Sequence, residues 1–266
     1  MSELQVLVAT MHQKDFSLAD KMNIRCDAVF ANQADSNGFS EHQTGYGRLK
    51  MITTASRGVG LNRNIALLAA DADILLLADD DVVYNDDMPQ AVITAFQENP
   101  EAEVIIFGMD IVKNGKTSEK RHLSNKKRHV WDSLRFGTYT IAVRRKAILQ
   151  YNITFNQLFG GGCMYSAGED SLFLKACFDA GLKVYSHEYV LGTCCKDTST
   201  WFTGYGEKYF YDKGALVRHL FPKTCYLMAP YFAIRFKRET EVSVRNRLKL
   251  VYRGVRGSKT LQPYRE

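Results

Sequence analysis

The sequence predicts an α/β fold in which a mostly parallel central sheet is flanked by helices. Over the first 108 residues, apolar runs typical of strands alternate with segments of helical spacing, as in βαβ units with right-handed crossovers. The apolar fraction of 45%, with 24% charged residues, is ordinary for a globular protein with a full core. At 266 residues, we expect one large domain with a C-terminal extension.

The predicted elements follow one another with short polar connections. Strands are predicted at 4–10, 27–31, 49–53, 74–78, 103–108 and 138–143, and helices at 16–22, 58–68, 88–99 and 168–180. Segments 34–48 and 113–129 are predicted as loops, because glycine, polar and charged residues dominate them. For the basic part of the second loop, a phosphate-binding patch is the alternative.

The strand at 74–78 ends in three consecutive carboxylates, Asp79, Asp80 and Asp81. Open α/β sheets bind ligands beyond the carboxyl ends of their strands. Adjacent acids repel one another and stay ionised most easily when a divalent cation shares the site. The alternative is a turn that caps the next helix; this explains the acids at 86–87 but not the triplet. The triplet therefore indicates a metal or phosphate site.

A second acidic centre lies at the start of a later helix. A glycine-rich loop at 159–162 precedes Glu169 and Asp170, and Gly181 ends the helix that they begin. A loop of this kind beside an acid suits substrate binding with a general base. The alternative is a capping box, in which Ser166 and Glu169 satisfy free amides of the first turn. The spacing leaves both interpretations open.

Taken together, the two centres resemble the family 2 glycosyltransferases of the GT-A fold, in particular those of bacterial capsule and surface polysaccharides. Residues 58–81 (GVGLNRNIALLAADADILLLADDD) carry the Arg-Asn helix and the apolar strand that ends in a D-x-D motif. Residues 168–173 (GEDSLF) are similar to the second signature, and 199–201 (STW) to a later helix start. The resemblance covers residues 3–220, so we assign 1–220 to a catalytic domain.

The resemblance implies roles for residues at the first centre. Asp79 would contact the ribose or a neighbouring part of the nucleotide, and Asp81 would bind Mn²⁺ or Mg²⁺ bridging the diphosphate of the donor. Asp80 lies between them and is expected to contribute to either function. Thr10 and Asn32, at the ends of the first two strands, would hold the base.

The same resemblance implies roles for the residues around the second centre. Arg63 would reach the nucleotide, with a surface cation on the polar helix face as the alternative. Asp170 would deprotonate the acceptor hydroxyl, and Glu169 would orient the acceptor together with the loop glycines Gly161 and Gly162. Many relatives supply a histidine as a further metal ligand, but residues 191–196 contain none.

The C-terminal segment 221–266 is predicted to be a basic amphipathic extension. From 232 to 266 the sequence has ten Lys or Arg and three Glu, which gives +7, whereas the whole chain carries +6. Segment 226–236 is aromatic and apolar, and 242–255 has apolar residues at helical spacing among its cations. This pattern favours contact with an anionic membrane surface through 226–256. The alternative is that the apolar stripe packs on the domain; no pattern indicates a nucleic-acid partner.

These observations predict an inverting, metal-assisted glycosyltransferase. It would move a sugar from a nucleotide-sugar, expected to be a UDP-sugar, to a glycan or lipid-linked oligosaccharide in surface polysaccharide biosynthesis. We expect it in the cytoplasm, at the inner face of the cell membrane. No apolar run reaches the roughly 18 residues that span a bilayer, no secretory signal precedes the first strand, and the six cysteines form no C-x-x-C pair.

Two alternatives remain open from the sequence. A sugar-1-phosphate nucleotidyltransferase also binds a nucleotide with a metal on an α/β sheet. Its glycine-rich, lysine-bearing first loop is missing after Thr10. The other alternative is a non-catalytic, membrane-associated module that binds glycans. The intact acids Asp79, Asp81 and Asp170 disfavour it.

Overall fold

A computed structural model describes residues 3–195, 204–236 and 239–265 of the chain. The motif at 199–201 lies outside the described residues. The strands are β1 (Leu4–Met11), β2 (Asp27–Gln33), β3 (Gly38–Gln43), β4 (Arg48–Thr54), β5 (Ile74–Asp79), β6 (Val82–Tyr84), β7 (Val104–Lys113), β8 (Lys116–Arg121), β9 (Lys126–Lys127), β10 (Ile141–Arg144) and β11 (Val184–Cys195). The helices are α1 (Ser17–Lys21), α2 (Val59–Ala69), α3 (Met88–Glu98), α4 (Val130–Ser133), α5 (Arg145–Gln150), α6 (Glu169–Asp179), α7 (Glu207–Leu220), α8 (Cys225–Ile234) and α9 (Val244–Gly257).

All of these strands join one mixed sheet, whose main path runs β3-β4-β2-β1-β5-β10-β7-β11-β6. The half that contains β4, β2, β1 and β5 is parallel, as the alternation of strands and helices predicts. Strand β10 then enters antiparallel between β5 and β7, so the sheet is less uniformly parallel than expected. The predicted α/β class is confirmed, with a large central sheet flanked by helices.

Strand β5 lies in the middle of the sheet because its residues are apolar on both faces. Leu75 and Leu77 pack into one core layer, and Leu76 and Ala78 into the other. Helices α1 and α3 contribute to the layer that contains Leu76, whereas α2, α5 and α6 contribute to the opposite layer. Because the strand is buried on both faces, its residues are shielded from solvent until the acids at its carboxyl end.

Both predicted loops contain strands. Segment 34–48 holds β3, which pairs antiparallel with β4 and is exposed at the edge of the sheet. Segment 113–129 holds β8 and β9, which pair with β7 and β11. The loop predictions were wrong because exposed edge strands carry polar residues on both faces and therefore lack the alternation that identifies a half-buried strand.

The C-terminal helices form a third hydrophobic core with α7. Buried residues of α7, α8 and α9 pack there together with Phe159 of the glycine-rich loop and with Tyr165, which follows that loop. Gly214 of α7 and Gly254 of α9 let the two backbones touch, because a Cβ at either position would overlap a carbonyl oxygen of the facing helix. The apolar stripe of α9 therefore packs on the domain. The division into 1–220 and 221–266 stays a prediction.

Candidate active site

Three strand ends bring the predicted nucleotide-binding residues to one edge of the sheet. Thr10 of β1 is in register with Asn32 of β2, and Ala9 is in register with Asp79 of β5. Oγ1 of Thr10 donates a hydrogen bond to Oδ2 of Asp80 at 2.7 Å. The structure therefore places these polar residues beside the acid triplet, where open α/β sheets bind ligands.

The Asn32 side chain is fully buried and positions the loop that follows β1. Its Oδ1 accepts from the backbone N–H of Gln13 at 2.9 Å, and its Nδ2 donates to the carbonyl of Gln13 at 2.9 Å. Nδ2 also lies 3.1 Å from Oγ1 of Thr53. The hydrogen bonds of this side-chain amide therefore go to the loop at Gln13 and to Thr53. Its predicted contact with the base stays a prediction.

Helix α2 turns three consecutive polar side chains into the protein, and each holds a different part of the site. Asn62 donates to the carbonyls of Ala31 at 2.8 Å and Thr10 at 3.2 Å, which ties the helix to the ends of β1 and β2. Asn64 bonds both the N–H and the carbonyl of Phe155, at 2.7 and 2.9 Å. Buried polar groups need such partners. The two asparagines thus fix the orientation of Arg63 between them.

The Arg63 side chain joins the two acidic centres. Its Nη2 lies 2.5 Å from Oδ1 of Asp79, and its Nη1 lies 3.0 Å from Oε1 of Glu169 and 3.2 Å from Oδ1 of Asp170. Only 6% of the side chain is exposed, so the interpretation as a surface cation is wrong. Burial alone lowers the pKa of Arg63, but the three carboxylates raise it above its ordinary value. The predicted contact with a nucleotide stays a prediction.

The Asp170 carboxyl has the properties that a general base needs. Burial, and then the neighbouring charge of Glu169, raise its pKa to about 7, while Arg63 and the hydroxyl of Thr138 oppose that rise. Oγ1 of Thr138 donates to Oδ1 of Asp170. About a third of the Asp170 side chain is exposed, which leaves room for a substrate hydroxyl. A carboxylate with a pKa near neutrality accepts protons efficiently at physiological pH.

Glu169 is held by hydrogen bonds, but not by the capping box that the spacing left open as an alternative. Helix α6 is preceded by Gly168, whose φ of 125° suits glycine, and no side chain caps the helix there. Oε2 of Glu169 accepts from the N–H of Gly168 at 3.1 Å. Ser166 instead donates through both its N–H and its hydroxyl to Oδ2 of Asp212 on α7. The capping-box alternative was wrong because Ser166 has a stronger acceptor in a distant helix.

The glycine-rich loop closes over the start of α2. The carbonyl of Gly161 accepts from the N–H of Val59 at 2.9 Å, and Gly162 has a φ of 76° and is exposed. Gly160 has a φ of 106°, and a Cβ there would collide with Val59 and with the carboxylate of Glu169. The loop therefore lies directly beside the second acidic centre. Acceptor binding by Gly161, Gly162 and Glu169 stays a prediction.

The last acid of the triplet lies where β6 begins to pair with β11. The carbonyl of Asp81 accepts from the N–H of Cys195 at 2.8 Å, and its Oδ1 lies 3.5 Å from Sγ of Cys194. Its side chain is partly exposed. Cys194 is buried, whereas Cys195 is exposed. Pairing of β6 with β11 thus fixes the backbone from which the Asp81 carboxylate projects.

The donor set fits a divalent cation that is shared with a substrate. Within residues 3–195, 204–236 and 239–265, no group of three or more His, Cys, Asp or Glu side chains is arranged to hold a metal by itself. Mg²⁺ and similar cations commonly use one or two carboxylates together with substrate phosphates. The carboxylate of Asp81 suits that arrangement. His187, a few residues before the stretch 191–196, has its Nε2 3.6 Å from Oε2 of Glu98 on α3.

Two residues that organise the site were not predicted from the sequence. Thr138 is fully buried in a short 3₁₀ turn before β10, and Asn62 is 1% exposed on α2. Neither belongs to a recognisable motif, and Thr138 was placed in a strand. An asparagine and an arginine adjacent on the inner face of a helix were the available signal, because buried polar residues need specific partners.

Comparison with known proteins places the chain in a family. The family model described as glycosyl transferase family 2 matches residues 27–162, slightly more than half of the chain. The chain therefore belongs to glycosyltransferase family 2 and is a glycosyltransferase. The nucleotidyltransferase alternative is set aside by this match. A search of curated proteins found no match.

Solved structures confirm the fold. Staphylococcus aureus TarS 1–349 in complex with UDP-GlcNAc superposes with a TM-score of 0.64 at 16% identity, over 98% of this chain and 84% of that chain. The same protein in complex with UDP superposes with a TM-score of 0.59 at 17% identity, over 98% of this chain and 83% of that chain. A longer TarS structure superposes with a TM-score of 0.57 at 16% identity. The match covers 97% of this chain and 44% of that TarS chain. At such identities the likeness establishes the shared fold.

Proposed function

We propose that this glycosyltransferase inverts the anomeric configuration as it transfers a sugar from a UDP-sugar to a hydroxyl of a growing surface glycan, with a lipid-linked oligosaccharide as acceptor. The observation that carries the proposal is the bridge made by Arg63, which holds Asp79 of the first centre and Asp170 of the second on one guanidinium. A leaving group at one centre and a nucleophile at the other would therefore meet in one cleft. The UDP-GlcNAc and UDP complexes of TarS support the choice of donor.

The two centres would do different work in a direct displacement. The acceptor oxygen attacks C1 of the sugar, the bond from C1 to the diphosphate oxygen breaks, and the nucleoside diphosphate leaves. Asp170 takes the proton of the attacking hydroxyl, for which its raised pKa suits it. Arg63 and Thr138 hold that carboxylate in place. Inversion requires the base and the leaving group on opposite faces of the sugar, in agreement with two separate centres.

The acid triplet and the strand ends would bind the donor. Asp79 and Asp80 would contact the nucleotide, with the base beside Thr10 and the loop that Asn32 positions. Asp81 would hold Mn²⁺ or Mg²⁺ together with oxygens of the diphosphate. When bound, such a cation stabilises negative charge that grows on a leaving diphosphate. Glu169, Gly161 and Gly162 would orient the acceptor.

The proposal is tested by finding the donor and following the product. A panel of nucleotide-sugars is added to the protein with Mn²⁺, and thermal shift identifies those that stabilise the fold. Transfer from the best donor is then followed by NMR, which reads the configuration of the new anomeric centre. We expect a UDP-sugar to stabilise the protein and its configuration to be inverted. Stabilisation by nucleoside triphosphates alone, or retention of configuration, would contradict the proposal.

A further inference from the structure

Helix α8 presents an apolar face that the rest of the described chain leaves uncovered. Leu227, Tyr231 and Ile234 recur at spacings of four and three, so they lie on one side of the helix, and they are 79%, 49% and 59% exposed. Exposed cations, Lys223 and Arg235, flank this face at its two ends. Single exposed apolar residues are ordinary, but a contiguous apolar face with a charged rim marks an interaction surface.

Helix α9 presents a cationic stripe beside that apolar face. Arg245, Lys249, Arg253 and Arg256 are exposed and follow one another at spacings of four, four and three, within about 80° of the helix circumference. The helix contains no Asp or Glu. None of the four has a carboxylate within 4.0 Å among the described residues. Side chains on the opposite face of α9 are buried against α7, so the stripe is what α9 offers to solvent.

Contacts between two tyrosines make the two surfaces continuous. Tyr252 of α9 stacks on Tyr226 of α8 at 6.3 Å between ring centroids, and its hydroxyl donates to the carbonyl of Tyr226 at 3.2 Å. Tyr226 is 41% exposed and adjoins the apolar face. Between residues 223 and 256 the sequence has nine Lys or Arg against Glu239 and Glu241, a net charge of +7. The combined surface, called here the α8–α9 surface, is apolar and aromatic on one side and strongly basic on the other.

We infer that the α8–α9 surface docks on an anionic lipid bilayer, with Leu227, Tyr231 and Ile234 entering the headgroup boundary and the α9 stripe meeting lipid phosphates. Apolar and aromatic side chains beside Lys and Arg are the combination that holds proteins at a membrane interface. A nucleic acid would use the cations but give Leu227 and Ile234 no apolar environment. The inference deepens the proposed function, because it names the surface through which the enzyme would approach a lipid-linked acceptor.

The geometry corrects the arrangement expected from the sequence. The pattern at 242–255 favours a helix whose own apolar stripe enters the membrane, but Val251 and Val255 of that stripe are buried in the third core. The apolar contribution to binding comes from α8, and α9 contributes its charges. No helix in the described ranges is long and apolar enough to cross a membrane.

Vesicle flotation of the full chain tests the inference without any assay of transfer. The protein is mixed with vesicles of phosphatidylcholine alone or with an equal part of phosphatidylglycerol, at low and at high salt. We expect binding to the anionic vesicles at low salt and loss of binding as salt screens the charges. The triple variant Arg245→Gln, Lys249→Gln, Arg253→Gln should bind about 100-fold more weakly, since each cation near such a surface is worth about a factor of five.

Two further variants separate charge from apolar contact. The matched control Lys21→Gln, Lys146→Gln, Lys183→Gln removes the same charge from exposed positions outside both the α8–α9 surface and segment 113–129, and it should bind like the unaltered protein. Leu227→Ser with Ile234→Ser should weaken binding while keeping every cation. UDP affinity, measured on each variant, shows that the site is intact. Equal binding to neutral vesicles, an unaffected triple variant, or binding to an oligonucleotide without binding to vesicles would overturn the inference.

Discussion

The guanidinium of Arg63 donates to Oδ1 of Asp170 at 3.2 Å while its other terminal nitrogen lies 2.5 Å from Oδ1 of Asp79. One buried side chain therefore sets the relative position of the acid placed at the donor side and the acid placed at the acceptor side. A planar guanidinium can do this because its nitrogens are fixed in one fork. Positioning of the proposed base thus depends on a residue that need not touch either substrate.

Replacing Arg63 by lysine should separate charge from geometry. The ammonium keeps a positive charge but cannot hold three carboxylates in a fixed fork. We expect transfer at neutral pH to fall about 10- to 100-fold, the scale of a small misplacement of a reacting group. The acidic limb of the pH–rate profile should move to higher pH, because Arg63 lowers the pKa of Asp170.

Arg48→Lys serves as the control for that change. Arg48 forms an ion pair with Asp71 at 2.6 Å at the other end of the sheet, so the same substitution there should leave the pH–rate profile in place. If Arg63→Lys loses activity with an unshifted profile, Arg63 does not act on the proposed base.

The unaltered enzyme should lose activity as pH falls through about 7. The pKa of Asp170 is raised to about 7, and only the deprotonated carboxylate can accept a proton. Below that pH, the rate should fall about tenfold for each further pH unit as the base becomes protonated. The measurement is kcat against pH with saturating donor. A rate that stays level down to pH values near the ordinary aspartate pKa of about 3.9 would contradict the assignment.

Thr138→Val should weaken the base without disturbing the core. Valine keeps the shape of the buried side chain but removes the hydroxyl that donates to Asp170. A hydrogen bond to a charged group is worth about 1.5–3 kcal/mol, so we expect transfer at neutral pH to fall about tenfold and the acidic limb to move upward. Thr140→Val is the matched control, since Thr140 donates to the carbonyl of Gly137 and contacts neither acid. Identical profiles for the two variants would show that Thr138 has no effect on the base.

Gly254→Val tests whether α9 packs on the catalytic domain. A Cβ at Gly254 would overlap the carbonyl oxygen of Tyr211, so the helices must separate. Overpacking of this kind costs about 1–3 kcal/mol in the free energy of unfolding. We expect urea denaturation to show a clearly lower free energy of unfolding for Gly254→Val. Gly45→Val, where a Cβ would meet no other atom, should leave that free energy almost unchanged. An equal stability of the two variants would argue against the packing of α9 on α7.

Sequence patterns predicted the parts of the fold that depend on burial. Strand β5 and helices α2, α3 and α6 lie where apolar periodicity placed them, because each turns a continuous apolar face to the core. Strand β3 was missed since its residues are exposed on both faces. The antiparallel entry of β10 was also missed, because strand direction depends on where the chain returns and leaves no mark on the residues themselves.

The site could be predicted where its residues are neighbours in the sequence, but not where it depends on contacts between residues far apart in the sequence. Consecutive acids at a strand end indicate a ligand site from the sequence alone. Contacts of Arg63 with residues 106 and 107 positions away, or of Thr138 with Asp170 across 32 positions, arise only once the sheet has formed. The sequence likewise could not show that the side-chain amide of Asn32 would form hydrogen bonds with the backbone of Gln13.

The most direct test compares Asp170→Asn with Asp81→Ala in the same two measurements. Transfer rate reports the chemical step, and calorimetric titration of UDP with and without Mn²⁺ reports donor binding. Asp179→Asn, at the exposed end of α6, and Asp86→Ala, exposed after β6, are the controls and should behave like the unaltered protein.

Separate roles for the two centres predict opposite results. Asp170→Asn should lose about 10²- to 10⁴-fold in transfer, the contribution of a general base, while UDP affinity stays unchanged. Asp81→Ala should lose the part of UDP affinity that depends on Mn²⁺. Transfer by Asp170→Asn at the unaltered rate, or equal loss of UDP affinity in both variants, would contradict the division of work between the two acidic centres.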